Sequence, residues 1–173
     1  SLLGRAIEGF QVSSIYVEEL VEIEKEYFLS FSMSQDGVQV FISATGGIEV
    51  DTLFELRPDA LVSDRIDPLA GLPVWRSADL WCRSGLANKD VLHSLAALTS
   101  RLHDTFQAAD AITLEINPLT VNRDGTLGVV GAMMAIDEAA LFRHTQWRDV
   151  TREETISANE RERLVHEANA VFP

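Results

Sequence analysis

The sequence predicts an α+β fold: a mostly antiparallel sheet with flanking helices. Three observations carry that prediction. Residues 26–34, EYFLSFSMS, alternate apolar and polar with period two, and residues 38–44, VQVFISA, alternate back across Gln35-Asp36-Gly37. A second such pair surrounds NRDG at 122–125. Between the two hairpins, residues 87–110 carry apolar side chains at helical spacing.

In chain order, SLLGRAIEG (1–9) reads as the interior of a helix, and the lack of a start methionine suggests a processed product or a piece of something longer. SSIYVEEL (13–20) reads as a strand entering a charged bend, and the first hairpin follows it. TGGIEVD (45–51) reads as a glycine-rich bend leading into a short extended piece. Residues 52–87, with three prolines in RPDALVSDRIDPLAGLPVW, read as loops and short helices. Asn88 is placed to cap the long helix, whose repeat is Val91, Leu95, Leu98, Leu102 and Phe106. Residues 114–134 give the second hairpin, and DEAALFRH (137–144) gives a short helix. The Glu/Arg mixture of 151–172 suits a charged helix with a solvated face, or a partly ordered arm.

The chain has 173 residues, of which 46% are hydrophobic and 24% charged, the composition of a folded protein. The net charge of −13 repels a phosphate backbone and an anionic lipid surface, so nucleic-acid and membrane roles are disfavoured. The single cysteine, Cys82, excludes an intrachain disulfide and reads as a small, half-buried residue beside Trp81. With no long apolar run and no basic leader before one, a cytoplasmic, reducing compartment is the expectation.

The chemistry concentrates in LEINPL (114–119). On a strand, Thr113, Glu115 and Asn117 share one face, while Ile112, Leu114 and Ile116 point to the core. A carboxylate and an amide oxygen about 6–7 Å apart can share a hard cation such as magnesium. Pro118 places the spot near a sheet edge or bulge. The same pattern equally suits a solvated polar face. The returning strand offers Gly131, Ala132, Met133 and Met134, none charged. Glu18, Glu22, Glu24 and Glu26 crowd one bend, where Glu18 and Glu26 could accept hydrogen bonds from a ribose or an adenine amino group, or form an exposed acidic turn. Gly46 and Gly47 allow close backbone approach, but no phosphate-binding lysine follows them on a helix. The histidines at 93, 103, 144 and 166 stand at no metal-ligand spacing, and His93 and His103 read as surface or boundary residues.

Taken together, YVEELVEIEKEYFLS, SATGGIEVD, IDPLAGL, LEINPLTVNRDG and ALFRH, in that order over about residues 2–170, resemble the ATP-grasp part of the succinate–CoA ligase β subunit and its malate–CoA ligase relatives. The resemblance implies a second ATP-grasp subdomain over 1–143 and a helical tail, 144–173, leading toward a further domain. It implies an enzyme that joins a carboxylic acid to coenzyme A with ATP or GTP, through a phosphohistidine on a CoA-binding α subunit. It places Glu18, Val21 and Glu26 at the adenosine end, Asn117 on Mg2+, and Glu115 beside the transferring phosphate.

Two expected parts have no counterpart here: an earlier GRGK-type segment, and a later domain that contacts CoA and the α subunit. Internally, the family's LDAK or LDGK is VGAM in this chain, so Gly131 stands for the second magnesium ligand and Met133 for a lysine. TEGG is shortened to TGG, and Ala139 replaces an asparagine. Asp137, six residues beyond Gly131, cannot substitute without a register change. Losing a ligand charge at a phosphate-transfer site costs several kcal/mol, roughly a thousandfold in rate. The reading is therefore a diverged acid–CoA ligase fragment, with a degenerate, non-catalytic binding or assembly module as the alternative. An acid–amine ATP-grasp ligase fits IDPLAGL and ALFRH less well. If the hairpin keeps the family geometry, Gly131→Asp is expected to restore the centre.

Overall fold

The computed structural model describes residues 2–7, 10–47 and 60–147. The strands are β1 (Ala6–Ile7), β2 (Phe10–Gln11), β3 (Ile23–Ser34), β4 (Gly37–Ser43), β5 (Val62–Arg65), β6 (Ala111–Asn122), β7 (Leu127–Val129) and β8 (Ala132–Ile136). The helices are α1 (Val74–Arg83) and α2 (Leu92–Ala108), followed by 3-10 turns at Glu138–Arg143 and Thr145–Trp147. The main sheet runs β5-β4-β3-β6-β7, and β8 pairs with β6 beyond β7. Every strand pair is antiparallel, as the alternating hairpins predict.

The core lies on one face of this sheet. Tyr27, Leu29 and Phe31 of β3, Val40 and Ile42 of β4, and Leu114, Ile116, Leu119 and Val121 of β6 are buried in one cluster with Leu80, Trp81, Leu95 and Phe106 of the helices. The alternation is the cause: β3 places odd-numbered residues under the helices and even-numbered ones on the opposite face. The Trp81 ring meets Tyr27 edge-on at 5.5 Å, and Phe31 packs at 5.9 Å against Phe106. Between the helices, the indole Nε1 of Trp81 donates to Thr99 Oγ1 at 2.9 Å, and Thr99 donates to the Leu95 carbonyl.

Several expectations fail. Residues 3–4 form a turn and Ala6–Ile7 a short strand, so the opening is not helical. Residues 12–22 pair with no strand among the described residues, and Tyr16, Val17 and Leu20 are exposed; local alternation needs a neighbouring strand to satisfy its backbone. The reverse error is β5, read within the loops and short helices of 52–87 because of their three prolines, whereas its sequence VSDR carries two charges. Those charges suit an edge strand, and Asp64 is held by Arg76 at 3.0 Å. Asn88 does not cap α2: its Oδ1 accepts from the Asp90 N–H, and the helix starts at Leu92 with no side-chain cap. Cys82 is exposed, because α1 turns Leu80 and Trp81 inward instead. Ile112 is 43% exposed, at the irregular step of the β6–β8 pairing between Ala111 and Thr113. His103 is 1% exposed, not a surface residue, because α2 buries the line Leu95, Thr99, His103 and Phe106. The extended piece after Gly47 and the tail helix lie outside the described residues. Among the described residues, no helix is long and apolar enough to cross a membrane.

The fold generates three expectations. Thr99→Val leaves the buried Trp81 N–H unpaired and should cost about 1–3 kcal/mol of unfolding free energy in urea. A Cβ on Gly131 would lie 2.1 Å from the Asn117 carbonyl oxygen, so Gly131→Ala should cost about 1–3 kcal/mol in the same measurement. Burial pushes the His103 imidazole below its ordinary 6.5, the nearby Asp104 only partly opposing this. The unfolded chain therefore binds that proton first, and stability should fall as pH drops below 6.5. Chemical denaturation across pH 5–7 should show that slope in the native chain and lose it in His103→Leu, about one proton's worth of dependence.

Candidate functional site

Strand β6 changes register in its middle. Tyr27 pairs with Leu119 and Leu29 with Ile116, so the single residue Phe28 faces two residues, Asn117 and Pro118. This is a β-bulge, inside the sheet and not at its edge, since β6 has partners on both sides. The Asn117–Pro118 peptide is cis. The bulge turns the Asn117 carboxamide toward the Gly46–Gly47 bend, where the Gly47 N–H donates to Asn117 Oδ1 at 3.0 Å.

The bend lies flat on β3. The Gly46 N–H donates to the Glu26 carbonyl at 3.1 Å, and a Cβ on Gly46 would come within 2.3 Å of the Tyr27 carbonyl oxygen. Gly47 has φ of +109°, and a Cβ there would meet Glu26 Oε2 at 2.6 Å. Gly46 is therefore required by contact with the Tyr27 backbone, and Gly47 by its conformation. Glu26, Gly46, Gly47 and Asn117, three separate pieces of the sequence, form one joint. Glu26 is half-buried there, opposite Thr120.

Glu115 lies two residues before Asn117, between Ser30 of β3 and Met133 of β8. Core residues Leu114 and Ile116 flank it in sequence, so it faces away from the helices, half-buried. Its neighbour Met133 is 56% exposed. Glu18 and Val21 lie on the exposed 12–22 segment, outside the sheet. The end of that segment is tied to the β6–β7 turn by the Glu22–Arg123 ion pair at 3.2 Å.

Across from Asn117, the chain passes from β7 to β8 through Val130 and Gly131. The Asn117 N–H donates to the Gly131 carbonyl at 2.9 Å, and the Val130 N–H to the Pro118 carbonyl at 3.2 Å. These bonds bring the backbones so close that Gly131 has no room for a side chain. The hairpin has thus not kept space for an aspartate, and the expected rescue by Gly131→Asp fails on sterics. Among the described residues, no three His, Cys, Asp or Glu side chains gather as a metal site.

The sequence reasoning missed a second cluster. Asp110 ends the α2–β6 turn at φ of +49°. Its carboxylate accepts from Arg143 Nε at 2.6 Å, from a second Arg143 nitrogen, and pairs with His144 Nε2 at 2.6 Å. His144 stacks on Trp147 at 4.5 Å. The Arg143 guanidinium first, and His144 second, hold the Asp110 carboxyl down at about 2. The cluster clasps the segment after β8 onto the α2–β6 turn. An Arg-His pair just after an apolar ALF, with an aspartate closing the helix before, was the available signal.

Comparison with known proteins places this geometry. The β subunit of succinate–CoA ligase (ADP-forming) from Persephonella marina is 32% identical over 152 residues, 83% of this chain and 39% of that protein. The Chloroflexus aurantiacus subunit is 34% identical over 145 residues, covering 83% and 38%, and that of Aquifex aeolicus 30% over 161 residues, covering 88% and 41%. The chain thus spans about two fifths of the length of these curated relatives. Among solved structures, ATP citrate lyase from Methanothrix soehngenii, in complex with citrate and coenzyme A, superposes with a TM-score of 0.59 at 18% identity, over 84% of this chain and 33% of that one, a likeness of fold. Residues 2–121, which include Glu26, the glycine bend and Asn117, match the ATP-grasp domain as a family, and the chain belongs to it.

Proposed function

We propose that this chain forms one wall of the nucleotide site in an acid–CoA ligase of the succinate–CoA ligase β-subunit type, acting in the cytoplasm with a CoA-binding α subunit. The observation that carries the reading is the joint of Glu26, Gly46–Gly47 and Asn117, on the sheet face opposite the helices, within the residues that match the ATP-grasp domain. Among the described residues no helix covers that face, and Glu26, Ser32, Glu115 and Asn117 line it around the buried Phe28 and Ser30. Glycine lets backbone pack closely, and the Gly46 and Gly47 N–H groups are spent on Glu26 and Asn117, so the bend shapes this face rather than donating to a ligand. Glu18 and Val21, on the segment that leads into β3, would sit at the adenosine end, with Glu26 next to them in sequence. Glu115 and Asn117 would face the phosphates. The carboxylic acid and CoA would be handled largely by other parts of the enzyme.

A chain diverged to binding or assembly is the second reading. The uncharged stretch Gly131–Met134, opposite Glu115 and Asn117, favours it.

Calorimetry on the intact protein with ATP and with GTP should detect binding of at least one nucleotide. Glu18→Ala, on an exposed segment, should weaken that binding about tenfold, the loss of one hydrogen bond to a charged group, with an unchanged Tm. Glu22→Ala should leave nucleotide affinity within about twofold, since Glu22 is committed to a surface pair with Arg123. Absence of binding for both nucleotides overturns the proposal. Acid-dependent CoA thioester formation with an α subunit separates the ligase from the binding module.

A further inference from the structure

We infer that the Glu115–Asn117 face holds no divalent cation of its own, and that Asn117 is instead a positioning residue that pins the Gly46–Gly47 bend onto β3. The inference rests on the nucleotide reading above for its ligand, and on the local geometry for the absence of a metal.

Magnesium demands near-octahedral oxygen ligands at short distance and dehydrates reluctantly, so a protein holds it through one or two carboxylates beside a gap that waters and substrate phosphates fill. Here the gap is closed. The place of a second carboxylate is Gly131, where even a Cβ would stand 2.1 Å from the Asn117 carbonyl oxygen, and backbone hydrogen bonds of 2.9 and 3.2 Å hold the two strands at that separation. The amide oxygen of Asn117 is already engaged: the Gly47 N–H points at it from 3.0 Å, and a donor dipole aimed at an oxygen opposes a cation approaching the same atom. Glu115 supplies the one carboxylate on this stretch, and its cross-strand neighbours are a serine hydroxyl and the thioether of Met133. A thioether is a soft donor that does not serve a hard cation.

What the geometry builds instead is a latch. Gly47 is held at φ of +109°, with Glu26 Oε2 filling the space where its side chain would be, and the Asn117 carboxamide closes the bend from the other strand. The bulge at Asn117–Pro118 aims the carboxamide there. The bend's position therefore depends on a side chain 70 residues away, and not on a metal. Any nucleotide bound here carries its cation as its own counter-ion, without a pair of protein carboxylates set to hold it, and its affinity should depend little on magnesium.

The test is proton–nitrogen NMR on the intact protein, with MnCl2 as a paramagnetic probe, together with nucleotide calorimetry in magnesium and in EDTA. Without nucleotide, manganese should broaden the Asn117, Glu115 and Gly47 signals no more than those of exposed surface carboxylates. Asn117→Leu should move the Gly47 amide resonance and speed its hydrogen exchange about tenfold or more, whereas Asn117→Asp, which keeps an oxygen acceptor, should retain the protection. The ratio of nucleotide affinities in the two buffers should stay within about threefold, and Glu115→Gln should not change that ratio. Selective manganese broadening at Asn117 and Glu115 overturns the inference. So does a magnesium dependence above about tenfold that Glu115→Gln abolishes, or a Gly47 amide indifferent to Asn117→Leu. If nucleotide binds in neither buffer, the nucleotide reading falls, while the manganese and exchange results still decide the metal and the latch.

Discussion

The bulge in β6 is the constraint on which the rest of the site depends. One residue of β3, Phe28, spans two of β6, Asn117 and Pro118. Before the bulge, Leu114 and Ile116 face the helices; after it, Leu119 and Val121 do. Without the extra residue, strict alternation from Ile116 would put Pro118 rather than Leu119 on the core side. The bulge therefore serves packing and function together. It lets a 12-residue strand keep apolar residues on the core side from Leu114 to Val121, and it frees one carboxamide to reach the glycine bend.

The helical layer stabilises that arrangement from behind. Tyr27 precedes Phe28 directly and is locked under Trp81, whose indole is in turn fixed to Thr99. The carbonyls of Glu26 and Tyr27 lie under the glycine bend. A short chain of contacts thus runs from α2 through Trp81 and Tyr27 to the backbone that carries the site. Burial, aided by the Glu24 carboxylate, pushes the Tyr27 phenol up, so this link stays neutral across the ordinary pH range. At the far end of β6, the Asp110 clasp holds down the segment that follows β8. Both ends of the strand are anchored by polar bonds, and its middle by packing.

Much of the fold was legible because it is written in short-range periodicity. The β3–β4 hairpin, the NRDG turn and the α2 stripe each declare themselves within about a dozen residues. What failed depends on partners distant in sequence. Alternation at 13–20 suggests a strand, yet no strand lies beside it among the described residues. The prolines around VSDR suggest a loop, yet Asp64 finds Arg76 and the strand completes an edge. For the candidate site, residue types and shared faces were readable, including Glu115 with Asn117 on one side of β6. The joint of Asn117 with Gly47 was not, since nothing local links residues 70 apart. Nor could the letters reveal that Gly131 is a steric necessity; from sequence it registers only as a missing carboxylate.

That last feature bears on what position 131 can become. Because the Asn117 carbonyl occupies the volume a side chain at 131 would need, no single substitution there adds an acidic residue without moving backbone. The strands would first have to part, loosening the hydrogen bonds that now join them, before a carboxylate could be accommodated. Position 131 is in this sense entrenched: any side chain there demands concerted change in two strands, and the first step of that change weakens their pairing.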